Sequence, residues 1–411
     1  MTKVWFSVSL FNFAIATLMG FLLRYASVFP VEKLNLQFLL HGHSHGAMLG
    51  WAYMALYALI YAGFVVETNQ SKKCFNVLFW ISEVSVVGMF IFFPIEGYAL
   101  FSIFFSALHL VCSYLFVYYV WRFRKSGLKD QNRLLYTALG FMVLSTVGIL
   151  LIGPAIHIQG KGSAFFQGVI QFFLHFQFNG WFIVSVLALF LKGVKNYTRK
   201  SISVMLRLVL IVSIVLTFAL PLNWYVPAAV LYYLNGLGVI LQLFVFGLIS
   251  IYLCKKYWFV HLKPVEKILF YFSIVSVFLK AFVPLLSLLP SVMSDVYHIR
   301  PLVVGFIHLL MLGAISGSIL FFAMRKRWLP SKGVMVYVAI ILFIGAFVCT
   351  EGLMLLQGFF IIEGYNLISN YSFWLMLISS FLPLSVIMLF VLGFHDGRDI
   401  EKRVLKNKAF L

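Results

Sequence analysis

The chain has 411 residues, 63% of them hydrophobic and only 10% charged, with a formal net charge of +19. A mean hydropathy of +1.02 excludes water as the solvent for most of the surface, because a soluble domain is about one-quarter charged. The basic residues sit in short breaks between apolar runs, so the charge reads as membrane topology and excludes a nucleic-acid surface. Four cysteines, Cys74, Cys112, Cys254 and Cys349, lack CxxC spacing, which removes a disulfide framework and a thiolate metal site.

A helix needs about 20 apolar residues to cross the hydrocarbon core. Taken in chain order, such runs fall at roughly 4–25, 38–66, 76–95, 98–121, 134–153, 165–191, 202–220, 227–253, 266–289, 302–324, 333–356 and 371–394. They predict an all-α, polytopic transmembrane bundle of about twelve spans, one domain covering 1–411. The first run follows a single lysine and has no small-residue cleavage site, so it reads as a retained span. Lys and Arg gather in alternate connections: Lys72 and Lys73; Arg122 to Arg133; Lys192 to Lys200; Lys255 to Lys267; Arg325 to Lys332; and the C-terminal tail. Cytoplasmic loops carry that excess. The expected topology is therefore N-in and C-in, multi-pass in the inner (cytoplasmic) membrane, in contact with lipid, with 395–411 as a cytoplasmic basic tail.

A histidine inside a span is costly unless it is paired, solvated or ligating. His41, His43 and His45 fall at the outer end of the second span and His175 in the outer half of the sixth. His308 lies about 10 Å below the outer end of the tenth, and His109 near the middle of the fourth. Imidazoles from facing helices can clamp a haem, and a single one can hold copper. His41, His43, His45, His175, His308 and His109 are thus candidate ligands of haem iron or of another metal. The other readings are a metal-collecting mouth at His41–His45, a proton relay or hydrogen-bonded interior histidine at His175, and simple packing at His308.

Gly42, Gly46 and Gly50 form a smooth strip suited to a flat macrocycle or to another helix. Gln167, Gln171, His175 and Asn179 recur every four residues, a polar stripe that must face the bundle interior or a wet cavity. Glu83 and Lys280, inside the third and ninth spans, suggest a proton path together with Gln171 and Asn179, a buried pair, or charge compensation. HSHGAMLGW and IHLLMLGAISG share a His–Gly cadence, with no long repeat around it. No Walker, GxSxG, HExxH or dinucleotide-binding motif occurs in a suitable context.

At HSH-x4-GW (His43–Trp51), LHFQFNGW (Leu174–Trp181) and the His308 segment ending LGAISG, the chain resembles subunit I of the haem–copper oxidase superfamily. It is closer to the small oxidase subunit I-like relatives, with NnrS-type haem–copper proteins as neighbours. The resemblance implies a low-spin haem between His43 or His45 and His308, and copper or a second metal at His175. The pattern departs in three places. The seventh span, SISVMLRLVLIVSIVLTFAL, has no histidine pair, the tenth has only His308, and Asn179 stands where many relatives have tyrosine. The implied function is a haem-binding membrane protein with an incomplete haem–copper centre, in electron transfer or nitric oxide/oxygen-related redox chemistry. If an enzyme, it would be an oxidoreductase of that type, with a cytochrome or quinol as donor. The alternative from another class is a transition-metal ion transporter.

Overall fold

The computed structural model describes residues 1–126, 129–194, 204–258, 261–289 and 296–408, with side chains as far as residue 394 other than those of 129, 130 and 258. Lys195, Arg199, Lys200, Asp295 and the side chains of the 395–411 tail lie outside the described residues.

Among the described residues twelve helices are long and apolar enough to span a bilayer: α1 (Thr2–Ala26), α2 (Leu36–Phe64), α3 (Asn69–Glu96), α4 (Leu100–Arg122), α5 (Gln131–Gln159), α6 (Ala164–Gly193), α7 (Val204–Asn223), α8 (Ala229–Tyr257), α9 (Pro264–Leu288), α10 (Arg300–Arg325), α11 (Val334–Ile362) and α12 (Tyr371–Phe394). Among the described residues the only β-type pairing is an isolated bridge between Val65 and Arg124. In hydrocarbon each backbone polar group needs an internal partner, and helices supply it within one segment. The chain is an all-α, multi-pass membrane protein.

Three helices are central. α2 and α6 are each 83% buried over their most apolar window and α10 is 61% buried, against 28–50% for the other nine. α1, α3, α5, α9 and α11 pack around these three. Between helices already in lipid there is little hydrophobic drive, so contact rests on close packing and on interhelical hydrogen bonds. The glycines of α2 serve this purpose. A Cβ on Gly42 would meet Met19 and Pro94, one on Gly46 the Phe90 ring, and one on Gly50 Val86 and Asn12. The strip is a seat for α1 and α3, not for a macrocycle.

All three central helices contain a π-helical segment: Gly46–Tyr53 in α2, Phe176–Phe182 in α6 and Leu309–Ser316 in α10. π-helix is rare, accounting for well under 1% of residues, and collects at functional sites. Each segment begins immediately after a histidine: His45, His175 and His308. Each holds a glycine five residues after that histidine, at Gly50, Gly180 and Gly313, followed by Trp51, Trp181 and Ala314. The cadence seen twice in the sequence is therefore threefold, at intervals of about 130 residues, once in every fourth helix.

From these segments onward the central helices pack on one another. Trp51 Nε1 donates to Ser316 Oγ at 2.7 Å and so ties α2 to α10, and the Trp51 ring stacks on Phe13 of α1 at 4.4 Å. Trp181 of α6 lies 6.2 Å from Tyr53 of α2. Beyond this point 183–191 and 314–321 are buried throughout. We call this the packed half. On the other side of the π segments, the histidine half, the three helices have no comparable mutual packing.

The repeated glycines let peripheral helices close in. A Cβ at Gly180 would stand 2.5 Å from Phe141 Cβ, whereas one at Gly140 would meet nothing within 4 Å. Gly180→Ala is expected to destabilise the protein by about 1–3 kcal/mol through overpacking. Gly140→Ala should be neutral or slightly stabilising, since alanine favours helix. Thermal unfolding of both variants in nanodiscs measures the difference.

Candidate functional site: a histidine-lined recess

In the histidine half, α2, α6 and α10 separate and leave a recess. Ser44 of α2 is exposed although its helix is central, and it lies on the face opposite Gly42 and Gly46, which seat α1 and α3. His41, His43, His45, His175 and His308 all retain partial exposure, and the His308 side chain is 26% exposed. These five histidines are thus only partly covered by protein, each among different neighbours.

The imidazoles are held by different neighbours. His43 donates from Nδ1 to the Ala16 carbonyl of α1 at 2.8 Å, with its ring against Gly20. His45 donates from Nδ1 to the His41 carbonyl at 2.9 Å and stacks on Phe93 at 4.2 Å. His41 stands edge-on to Tyr98 at 4.6 Å, and burial raises the Tyr98 hydroxyl to about 12, so it stays neutral. On α10, His308 Nδ1 lies 3.5 Å from Glu351 Oε1 of α11. Arg24 of α1 reaches the same corner and contacts Met354 Sδ at 3.7 Å. At the mouth, Trp224 stacks on Tyr297 at 5.2 Å and Tyr225 meets the same ring edge-on. Burial and then Tyr297 push the Tyr225 phenol upward.

His175 is fully engaged. Its Nε2–H donates to the Ile214 carbonyl of α7 at 2.8 Å, and its Nδ1 faces Asn179 Nδ2 at 3.3 Å. A carbonyl can only accept, so the ring carries its proton on Nε2 and Asn179 is the donor to Nδ1. His109 is elsewhere, on α4 and buried edge-on to Tyr53 at 4.7 Å, with its Nε2 lacking a hydrogen-bond partner.

These placements correct the cofactor expectations. Among the described residues no three or more of His, Cys, Asp and Glu gather into a group that could hold a metal ion. The candidates lie on three diverging helices plus α4. His43 is turned to α1, His308 to α11, His45 to its own helix and Phe93, and both His175 nitrogens are spent on protein partners. The set does not fit the copper centre or the haem site expected of His43, His45, His308, His41, His175 and His109. The metal-binding, copper, haem and oxidoreductase descriptions are withdrawn, and with them the metal-transport reading.

Glu83 and Lys280 have separate partners. Asn12 Nδ2 donates to Glu83 Oε2 at 2.9 Å and to the Gly50 carbonyl at 3.2 Å, so one amide joins α1, α3 and the π segment of α2. Lys280 Nζ donates to Gln242 Oε1 of α8 at 2.6 Å and lies 4.9 Å from the Phe246 ring centre. Gln242 Nε2 continues to Thr217 Oγ1 of α7 at 3.4 Å, and Thr217 donates to the Ser213 and Ile214 carbonyls. The Ile214 carbonyl is the one that His175 binds. A chain of polar contacts therefore runs Lys280, Gln242, Thr217, Ile214, His175, Asn179 across α9, α8, α7 and α6. Gln242 and Thr217 went unnoticed in the sequence, although an amide inside α8 is a legible signal. Gln171 stays on the recess side of α6, partly exposed, one turn from His175.

In outline this twelve-helix, all-α architecture is consistent with subunit I of the haem–copper oxidase superfamily. No family model matches the chain, and no curated protein matches it.

Asn12→Ala should destabilise the protein by about 1–3 kcal/mol for each group it leaves unpaired, Glu83 and the Gly50 carbonyl. Glu83→Gln keeps an acceptor for Asn12 and should cost less. Chemical or thermal unfolding in nanodiscs ranks the two, and a larger loss for Glu83→Gln would contradict the bridging role of Asn12.

Proposed function

We propose that this protein carries protons across the membrane, by way of the histidine half of the bundle and the interior around Lys280. The observation that carries the reading is the polar chain from Lys280 to His175 and Asn179. Proton transfer needs groups that can both give and take a proton, set within hydrogen-bond reach or one water apart. Lysine and imidazole stand at its two ends with the Thr217 hydroxyl between; the Gln242 amide and the Ile214 carbonyl hold these groups in place, and water carries the proton past them. Lys280 is 1% exposed and takes part in none of the ion pairs among the described residues. An ionisable residue buried at such cost in a span is by default a functional one. The polar stripe of α6, with Gln171 one turn toward the mouth, extends the route into the recess. The alternation of basic connections supports a packed half facing the cytoplasm. The three short motifs support kinship of architecture with oxidase subunit I-like proteins, without their metal chemistry.

Purified protein in liposomes with a trapped pH dye and a potassium diffusion potential tests the reading. Wild-type protein should admit protons well above empty liposomes, Lys280→Met should lower the rate at least tenfold, and Gln242→Leu should do the same. A wild-type rate equal to that of empty liposomes would sink the reading.

A further inference from the structure

Glu351 lies well inside α11, eleven residues or about 16 Å from Ile362 at the end that flanks the histidine half. A carboxyl at that depth is costly and by default functional, and the polar chain from Lys280 does not include it. Three helices meet around it. Glu351 Oε1 stands 3.5 Å from His308 Nδ1 of α10. One turn before His308, Gly305 makes room for the carboxyl: a Cβ there would lie 3.0 Å from Glu351 Oε2 and 3.9 Å from Met354 Cβ. Arg24 enters from α1, with its guanidinium 3.7 Å from Met354 Sδ. It lies two residues from the end of α1, where a long side chain ordinarily reaches up to water, yet it turns to α11, the helix of Glu351. Arg300 of α10, Tyr371 of α12 and His43 of α2 are the other charged or titratable groups within electrostatic reach.

The simpler account is an ion pair that fastens α10 to α11, and a buried pair of that kind needs its remaining donors and acceptors matched. Here they are unmatched. At 3.5 Å the imidazole and the carboxyl are beyond ordinary hydrogen-bond length, and Glu351 Oε1 is buried without a hydrogen-bond partner. The Arg24 guanidinium has five N–H donors, meets the Met354 thioether and takes part in none of the ion pairs among the described residues. The His308 side chain is 26% exposed, so water reaches the imidazole. Two charge states suit such a corner. With the Nδ1–H of a neutral His308 turned to an ionised Glu351, Arg24 balances the carboxylate. A proton added at Nε2 makes an imidazolium beside the carboxylate, and the pair is then neutral in itself. In neither state is the carboxylate left uncompensated, which lets a proton arrive and leave at low cost.

We propose that His308 and Glu351 hold one transported proton between them, as the station at which the histidine half takes up and releases the protons that the protein carries, with Arg24 setting its charge balance. The proposal rests on the proton-transfer reading and names the residues at its histidine-half end. Only protons move. On uptake an O–H bond of a hydronium ion breaks as an N–H bond forms at His308 Nε2, and release reverses the step. When the pair closes to hydrogen-bond length, the Nδ1 proton passes to Glu351 Oε1, breaking one N–H bond and forming one O–H bond. No oxidant or co-reactant is needed.

The test begins with the parent chain. A hydrophobic carbodiimide reacts with an un-ionised carboxyl, so the protein in nanodiscs is treated with dicyclohexylcarbodiimide and the adducts are placed by peptide mass. Glu351 should be modified. In liposomes, Glu351→Gln and His308→Gln should each lower the Lys280-dependent proton rate at least tenfold, and the double variant should lower it no further, because the two residues act as a unit. Glu351→Asp, which keeps a carboxyl, should run faster than Glu351→Gln. An unmodified Glu351, or a Glu351→Gln rate equal to that of the parent, beside an intact Lys280-dependent rate would overturn the station and leave the proton-transfer reading standing. No proton rate in the parent would overturn both.

Discussion

The structure depends on one asymmetric contact: α2, α6 and α10 pack tightly along only half of their length. In that half Trp51 hydrogen-bonds to Ser316, and the peripheral helices close in against Gly50, Gly180 and Gly313. In the other half the three helices diverge, and their histidines turn to the peripheral helices α1, α3, α7 and α11. The change falls at three π segments, where the wider turn shifts side chains relative to an α-helix and leaves backbone groups that need other partners. Asn12, donating to the Gly50 carbonyl, is one such partner.

The spans were legible because lipid permits so few backbone solutions. Long apolar runs with basic alternation specify helices, and the boundaries read from them lie within several residues of those observed. The α2 glycines announced a close approach, though not by what. The π segments were not legible: GAMLGWAY, FQFNGWF and LLMLGAIS have the local character of ordinary apolar helix, and only their neighbours in the bundle widen the turn. What could be read was the His–Gly spacing, visible in α2 and α10 and obscured in α6 by its more polar surroundings.

The histidines show where sequence reasoning stops. Depth along a helix follows from counting residues, and the count placed His43, His45, His175 and His308 at one level. Direction does not follow from counting. The Ala16 carbonyl, the Phe93 ring, the Ile214 carbonyl and Glu351 decide which way each imidazole faces, and all four belong to other helices. A similar limit applied to Lys280 and Glu83, whose shared rarity suggested a pair. Packing instead gave the lysine Gln242 and the carboxyl Asn12. The seven-residue spacing of Glu266, Ser273, Lys280 and Ser287 was there to be read, but not that Lys280 and Ser287 would meet α8 while Glu266 and Ser273 meet α10.

Proton transfer through a membrane protein requires a polar route in a region that excludes water everywhere else. The account therefore stands on the polar chain from Lys280 to His175 and on water reaching its two ends. An experimental density map of the protein in a lipid nanodisc, fine enough to resolve ordered water, tests this most directly. It should show α2, α6 and α10 joined at Trp51 and Ser316 and separating beyond the π segments, with water beside His175 and beside Lys280. Three central helices packed along their full length, with no water at either place, would contradict it.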